Sequence, residues 1–420
     1  MKKLTFAILG MGNRGTVYAK NICNYPDRAQ VVAISDTRRV RLDSANKFLQ
    51  LDESRLFASA EQLLEQPKLA DMMVVATQDA QHKDHAIRAL EKGYDLILEK
   101  PISNRLQDVA DIADAAKKLG RTVFVSHVLR YTPFYRQIKE LLQQGTVGRI
   151  MAVEACEYVG YYHQAHSFVR GNWHSLEQCC PMILAKSCHD MDILLWLIDE
   201  PCLRVNSFGD LSYFKRENAP ADSAERCRDC KVPCPYNAQK FYLKSIPGWP
   251  ANVLHPEPDE ENILKALDET DYGRCVFKMD NDVVDHQTCN MQFANGAVAT
   301  FHMSAFNSLQ TRYIRIMGTE GEVWGRMSDK KVFWQRFGEE QPHEIDLSAA
   351  LVNASGHSGG DSGLVYDVIR YMQGEEFDTS SVTLIERSVD SHYLAFACEH
   401  SRLHDGALVD FGEYKKQLSK

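Results

Sequence analysis

Residues 10–15 read GMGNRG, directly after the apolar run LTFAIL and before a stretch whose pattern predicts a helix over residues 16–24. A strand, a glycine-rich turn and a helix in that order leave few folds open. Gly10 permits the tight turn, Gly12 lets backbone approach a pyrophosphate, and Gly15 lets helix and strand pack closely. Free N–H groups at the helix N-terminus, around Asn13 and Arg14, then face the phosphates. The next apolar run, VVAISD, ends on Asp36. A carboxylate there binds both ribose hydroxyls and repels a 2′-phosphate, so NAD is expected over NADP. Arg38 and Arg39 follow closely enough to tolerate the extra phosphate.

The runs DMMVVAT, DLILEK and TVFVSH continue the alternation of strand and helix. Near-continuous apolar strands in βαβα order predict a parallel sheet covered on both faces, ending near Ser126. The pattern then changes. RIMAVEACEYVG alternates like a half-exposed strand, and HQTCNMQFANGAVATFHMSA reads as two strands around the Asn295–Gly296 turn. RYIRIMGTEGEVWGR and KKVFWQRF add antiparallel strands, with helices expected over 182–198 and 363–372. The predicted architecture is α/β. A Rossmann dinucleotide-binding domain covers residues 1–126. An α+β domain covers 127–420, with a large, mostly antiparallel open sheet for substrate binding and oligomerisation. Residues 214–261, rich in proline, cysteine and charge, read as an insertion with little regular structure.

The 420 residues are 44% hydrophobic and 25% charged, a globular composition. A net charge of −9 without a long basic run argues against nucleic acid as a partner. The longest later apolar run, ILLWLI, is far short of a membrane span. The apolar start is broken by Gly10, Gly12 and Arg14, so no signal peptide is predicted. A cytoplasmic location follows as the expectation, in which the 12 cysteines are reduced thiols.

At EKP (Glu99, Lys100, Pro101) a larger pattern closes. The glycine motif, the block ATQDAQHKDHAIRALEKGYDLILEKP, the RYTP after the last Rossmann strand and the GTVGRI that opens the second domain stand in order. In these motifs nearly the whole chain resembles the glucose–fructose oxidoreductase / inositol dehydrogenase family, Gfo/Idh/MocA. The resemblance implies an NAD(P)-dependent oxidoreductase of carbohydrate metabolism, acting on a secondary hydroxyl of a sugar, glycoside or cyclitol, as a homodimer or homotetramer. It gives Lys100 a part in catalysis and substrate binding. It sets His82, after the turn that holds Thr77, by the nicotinamide ribose, with Glu99 and Lys100 beside the cofactor. His189 takes the place of the family's general acid/base in a D-x-x-x-H pattern. The acid of that pattern is missing: Ala185 stands in its position, followed by Lys186.

The residues support such chemistry independently. Oxidising a secondary alcohol needs a hydride acceptor and a base for the hydroxyl proton. In AKSCHDMDILLWL, Lys186, His189 and Asp192 fall at i, i+3 and i+6, so neighbours share one side of a helix. Asp192 is expected to orient His189 or bind a hydroxyl. His127 and Arg130 lie just past the last Rossmann strand, at the carboxyl edge where ligands bind. YVGYYHQAHSFVRGNWH offers Tyr161, Tyr162, His163, Arg170 and Trp173, aromatic faces and donors suited to sugars. GHSGGDSG adds His357 and Asp361. Two other functions compete. One is a redox-assisted glycosidase, known among the relatives, which oxidises C3 of a sugar, eliminates the aglycone and reduces the sugar again. The other is a nucleotide-sensing protein without catalysis, against which the presence of both Lys100 and His189 argues.

One motif stands outside this scheme. CRDCKVPC puts Cys227, Cys230 and Cys234 at C-x2-C-x3-C spacing. That spacing suits one tetrahedral ion, and Cys275 of DYGRCVF, where the insertion rejoins the regular domain, is the expected fourth ligand, with Cys202 as the alternative. Four thiolates leave no open position, so structural zinc is expected; an iron–sulfur cluster has the same ligand count.

Overall fold

The computed structural model describes residues 2–352 and 356–417. The apolar runs at the start of the chain form six parallel strands: β1 (Leu4–Leu9), β2 (Ala29–Ser35), β3 (Leu56–Phe57), β4 (Met72–Val75), β5 (Asp95–Leu98) and β6 (Val123–Val125), in the order β3-β2-β1-β4-β5-β6. Helices α1 (Asn13–Cys23), α2 (Arg39–Leu49), α3 (Ala60–Glu65), α4 (His82–Glu91) and α5 (Leu106–Leu119) connect them. Both faces are covered: Phe6, Ile8 and Val74 pack on one side, Ala7, Met73 and Val75 on the other. That two-sided burial is why the strands read as continuous rather than alternating hydrophobic runs. The parallel arrangement brings the carboxyl ends of β1, β4, β5 and β6 together, and with them the glycine loop, Thr77, the Glu99–Lys100 pair and Ser126.

Helix α6 (Pro133–Gln143) leads into the second half. Thr132 caps it by accepting from the Tyr135 N–H at 3.3 Å, and Pro133 takes the first helical position. The second sheet has nine strands: β7 (Ile150–Tyr158), β8 (Cys202–Asp210), β9 (His286–Phe293), β10 (Val298–Ser304), β11 (Thr311–Gly318), β12 (Gly321–Arg326), β13 (Lys331–Arg336), β14 (His343–Asp346) and β15 (Val409–Asp410). Their order is β14-β13-β12-β11-β7-β10-β9-β8-β15. The β9–β10 hairpin turns at Asn295–Gly296, where Gly296 has φ +86°. The pairing is antiparallel as expected except between β7 and β10, which run parallel.

Short α7 (Tyr161–His163) follows β7, and then α8 (Met182–Ala185) and α9 (Cys188–Ile198) cover the sheet. The single helix expected over 182–198 is therefore two. Ser187, at φ −95° and ψ 5°, leaves the helical conformation between them. The insertion also differs from expectation. It carries α10 (Ala238–Lys244) and α11 (Ala251–Leu254), and α12 (Glu260–Glu269) follows at its end; Ala238, Tyr242, Ile263 and Leu267 form a small core of their own. Polar surface and prolines hide that core from a reading by composition.

The end of the chain returns to the first sheet. In α13 (Gly360–Met372), Leu364, Val365, Val368 and Ile369 join the core around Phe6 and Tyr18. Thr383 then exchanges hydrogen bonds with Val125 (N–H to carbonyl 2.8 Å, Oγ1 to carbonyl 2.5 Å) before α14 (Ile385–Leu403) and α15 (Phe411–Lys416) finish the fold. Among the described residues no helix is long and apolar enough to cross a membrane.

Candidate active site

The glycine loop has the geometry a dinucleotide requires. Gly10 has φ +89°, and a Cβ there would meet the Ala76 carbonyl oxygen at 2.6 Å. A Cβ on Gly15 would fall 1.9 Å from the Gly10 carbonyl oxygen, so helix and turn touch. At Gly12 the nearest atom to a Cβ is Arg41 Nη1, 3.7 Å away, which leaves the approach open. Gly12 caps α1 and no side chain satisfies the helix's first N–H groups, leaving them for an anion. Asp36 closes β2 with Oδ2 accepting from Met11 N–H at 2.9 Å and Oδ1 from Arg38 N–H at 2.8 Å. Arg41 Nη1 also reaches Oδ2 at 3.4 Å, so Oδ1 is the oxygen with a further lone pair to offer.

The side chain of Arg14 has a task apart from the backbone N–H contact expected there. Its Nε donates to Glu99 Oε1 at 2.5 Å, and Nη1 and Nη2 donate to the two Asp361 oxygens at 3.1 and 2.7 Å. Nη2 also donates to Tyr18 Oη at 2.7 Å. The guanidinium is spent on ties between α1, the EKP loop and α13. Burial pushes the Asp361 carboxyl up, but Arg14 and then His357 outweigh it and hold it well below the usual carboxylate range. Glu99 is lowered in the same way: Arg14 and Tyr18 prevail over burial. Asp361 therefore fastens the fold rather than a sugar. His82 is fully buried, with Nδ1 2.8 Å from the Pro101 carbonyl oxygen and Nε2 3.2 Å from that of Thr77. It lies between the two loops, with a carbonyl oxygen facing each ring nitrogen and one N–H of the neutral ring to donate. Thr77 Oγ1 sits 2.9 Å from His85 Nδ1.

Lys100 reaches across to the second half of the molecule, where Nζ donates to the Ala185 carbonyl oxygen at 2.8 Å. His189, on the first turn of α9, is 3% exposed, and its Nδ1 has no hydrogen-bond partner in the protein. Burial, then Lys100, and then His127, Arg312 and His357 hold its pKa well below the usual imidazole range, so it stays neutral. The rings of His127 and His357 lie 5.7 and 6.1 Å from it. His357 Nδ1 is 3.0 Å from Asp361 Oδ2. His163 of α7 belongs to the same region: burial, then Lys186, lower its pKa, Lys100 adds to this, and its Nδ1 is unpartnered. Nearby, burial pushes the Cys188 thiol up to about 12 against the pull of Lys100, so it stays protonated.

Lys186 does not share a helix face with His189 and Asp192, because α8 ends before it. It is buried with Nζ 3.5 Å from Glu157, and burial lowers its pKa although Glu157 works against this. Glu157 also pairs with Arg312, whose guanidinium donates to Asp190 at 2.7 and 3.1 Å. This buried quartet of Lys186, Glu157, Arg312 and Asp190 went largely unread in the sequence. One signal was present: Glu157 occupies an inward position of β7, in register with buried Val153 and Ala155.

Five other expected site residues, Asp192, Arg130, His127, Arg170 and Trp173, are held by protein partners. Asp192 is bound bidentately by Arg130 at 2.7 and 2.6 Å, so neither orients His189 nor faces a substrate. His127, wholly buried, touches Ser391 Oγ at 3.1 Å and stacks edge-on against His189. Arg170 turns into the insertion, donating to the carbonyl oxygens of Arg274 and Tyr236, each at 2.7 Å. Trp173 Nε1 donates to Asp79 Oδ2 at 3.0 Å. Cys179 Sγ also lies 3.0 Å from that oxygen and 3.7 Å from Cys180 Sγ. Among the described residues, Asp79, Cys179 and Cys180 are the one group of three such ligand atoms mutually within 4.8 Å. The four cysteines expected to hold zinc are not drawn that closely together.

The buried ammonium of Lys186, the half-buried one of Lys100 and the imidazoles of His127, His163, His189 and His357 thus surround one region between the carboxyl edge of the parallel sheet and the helices on the second sheet. The loop that would receive a dinucleotide opens at that edge. Such a site can bind hydroxyl oxygens, take up a hydroxyl proton and stabilise the alkoxide.

Comparison with known proteins places both halves of the chain in one family. Residues 4–127 match the GFO_IDH_MocA oxidoreductase family, NAD-binding Rossmann fold, and residues 139–378 match its C-terminal alpha/beta domain. YteT of Bacillus subtilis, named as an oxidoreductase, is 26% identical over 311 residues, 71% of this chain and 72% of that protein. The scyllo-inositol 2-dehydrogenase (NAD(+)) of the same organism is 24% identical over 207 residues, 48% of this chain and 56% of that protein. The fold is shared with a levoglucosan dehydrogenase solved in complex with NADH, at a TM-score of 0.73, 15% identity, and coverage of 98% of this chain and 99% of that one.

Proposed function

This chain belongs to the Gfo/Idh/MocA family of oxidoreductases, and we propose that it is an NAD-dependent dehydrogenase acting on a secondary hydroxyl of a sugar, glycoside or cyclitol. The observation that carries this reading is His189: neutral, buried, with a free Nδ1, and under the field of Lys100. The likeness to proteins named inositol and levoglucosan dehydrogenases supports the substrate class.

Bound NAD+ supplies the hydride acceptor. The protein supplies the rest. Lys100 and Lys186 hydrogen-bond the substrate's oxygens, and Lys100 lowers the cost of the alkoxide as the hydroxyl proton leaves. His189 takes that proton and becomes an imidazolium; in ketone reduction it returns it. His127 and His357, with rings 5.7 and 6.1 Å away, flank the imidazole and fix its orientation. Asp36 sets the preference for NAD. The open face of the nine-stranded sheet, with Phe208 and Val298 exposed, is the face through which copies of the chain would associate as a dimer or tetramer.

A panel of polyols and glycosides, followed in parallel for NADH and for released aglycone, tests the reading. Stoichiometric NADH is expected. Aglycone release without net NADH would replace it with the redox-assisted glycosidase. Tight NAD binding with neither product across the panel, joined to unchanged behaviour of Lys100→Met, would indicate a sensor.

A further inference from the structure

The cysteine motif has no part in the chemistry above, and the fold treats it in a particular way. Arg226 and Arg274 form an antiparallel bridge, with Cys227 N–H donating to the Gly273 carbonyl at 2.9 Å and Cys275 N–H to the Glu225 carbonyl at 2.9 Å. Residues next to a bridge point to the opposite face from the bridged pair. Cys227 and Cys275 therefore project together, although 48 positions apart in sequence (275 − 227). Cys234 is brought to them by the turn that starts α10, where its carbonyl accepts from Asn237 N–H at 3.3 Å. All four cysteines, Cys230 included, line a single cavity of about 20 Å³, room for one water-sized sphere.

One cation lies beside the sulfurs. Arg170 is buried at 3% exposure with Nη2 3.4 Å from Cys227 Sγ, a cation beside sulfur. Val276 and Phe277 wall the cavity from water. The cavity also lies between two small cores, one holding Cys275 with Phe214 and Phe277, the other packing Cys227 against Tyr242 and Leu267. Each core is small, so a cross-link between them supplies what apolar burial there does not.

We infer that Cys227, Cys230, Cys234 and Cys275 bind a metal centre through four thiolates, a structural site that fastens the insertion to the substrate half of the molecule. Cys202, the alternative fourth ligand, lies in β8 against Arg204 and outside this cavity. A single zinc ion would draw the sulfurs to about 3.8 Å of one another, given Zn–S near 2.3 Å in a tetrahedron. A [4Fe–4S] cluster takes the same four ligands at wider spacing. Both are thiolate metal chemistry, and elemental content separates them.

The test is metal and acid-labile sulfide analysis of the full-length protein, purified anaerobically without a metal-affinity tag. About one zinc per chain, or about four irons with matching sulfide, is the expected result. Less than half an equivalent of either overturns the proposal. Cys230→Ser and Cys275→Ser should each lose at least four-fifths of the metal, while Cys179→Ser, in the neighbouring Asp79 group, and Cys23→Ser retain it. Should those variants fail to fold, titrating the wild-type protein with an organomercurial decides: release of the metal in step with four thiols supports the assignment, and release that needs no cysteine modification overturns it.

Discussion

Lys100 Nζ donates to the main-chain carbonyl of Ala185 at 2.8 Å, at the position where the family pattern places a carboxylate. A neutral acceptor there sets no carboxylate against the ammonium on that side, and His189, four residues on, sits in its field. Removing either group should therefore disable proton transfer. Lys100→Met and His189→Ala should each lower kcat by at least about 100-fold, the scale of a positioned acid or base, with NADH affinity unchanged. Steady-state kinetics and fluorescence titration check both halves. Turnover within threefold of wild type in either variant would remove that residue from the mechanism.

The protonation of His189 gives a second test. Burial and Lys100 hold its folded pKa well below 6.5, so the base form persists as pH falls through that value. The acid limb of kcat/KM for oxidation should lie well below the pH range of an ordinary imidazole. In Lys100→Met one depressing charge is gone, so the imidazole resonance of His189 should titrate at higher pH than in the wild type. An unchanged midpoint would show that the two do not interact.

Other buried histidines affect stability rather than rate. His392 Nε2 accepts from Ile102 N–H at 2.8 Å and so must be neutral, and burial pushes its pKa down to about 3. His166, against Tyr242, is likewise pushed down to about 3 by burial and Arg170. Below about pH 6.5 the unfolded chain binds protons that the folded one refuses, so stability falls with pH from there toward 3. At pH 5 the cost is about 2 kcal/mol for each. Urea midpoints at pH 8 and pH 5 should differ accordingly, and His392→Gln should narrow the gap.

Asp36 should favour NAD over NADP by at least about tenfold. Its two oxygens are held by the Met11 and Arg38 N–H groups, so the charge cannot swing away from a 2′-phosphate. Calorimetric titration with both cofactors measures the ratio. Asp36→Ser should reduce it, with Arg38 and Arg41 then free to meet the phosphate.

Asp192 and Arg130 form a buried ion pair and should behave as one. Asp192→Asn leaves an uncompensated guanidinium and should cost about 3–5 kcal/mol of stability. The double replacement Arg130→Leu with Asp192→Leu should cost much less than either change alone. Chemical denaturation of the three variants separates this structural role from a catalytic one.

What could be read in the sequence had a local cause. The Rossmann strands are buried on both faces, so their runs are unbroken; the Asn295–Gly296 turn needs a residue with positive φ; Lys100 and His189 lie in short patterns of their own. What could not be read was pairing at a distance. Arg14 meets Asp361 347 residues away, Arg130 meets Asp192 62 away, and Arg170 meets the Arg274 carbonyl 104 away. Each is a donor in a plausible place until its partner is known. Glu157 was the exception, a charge at an inward strand position.

The tie between Val125 and Thr383 bears on how the molecule is made. The last strand of the nucleotide-binding sheet is bonded to a residue 258 positions later, and α13 completes the apolar packing around Phe6 and Tyr18. During synthesis the first sheet emerges from the ribosome long before its final neighbours exist. Its edge, and the part of one apolar face beside α1 that α13 covers, stay open until most of the second half has been translated. The two halves thus mature together, and a nascent chain stalled anywhere before α13 would be a client for chaperones rather than a finished nucleotide-binding unit.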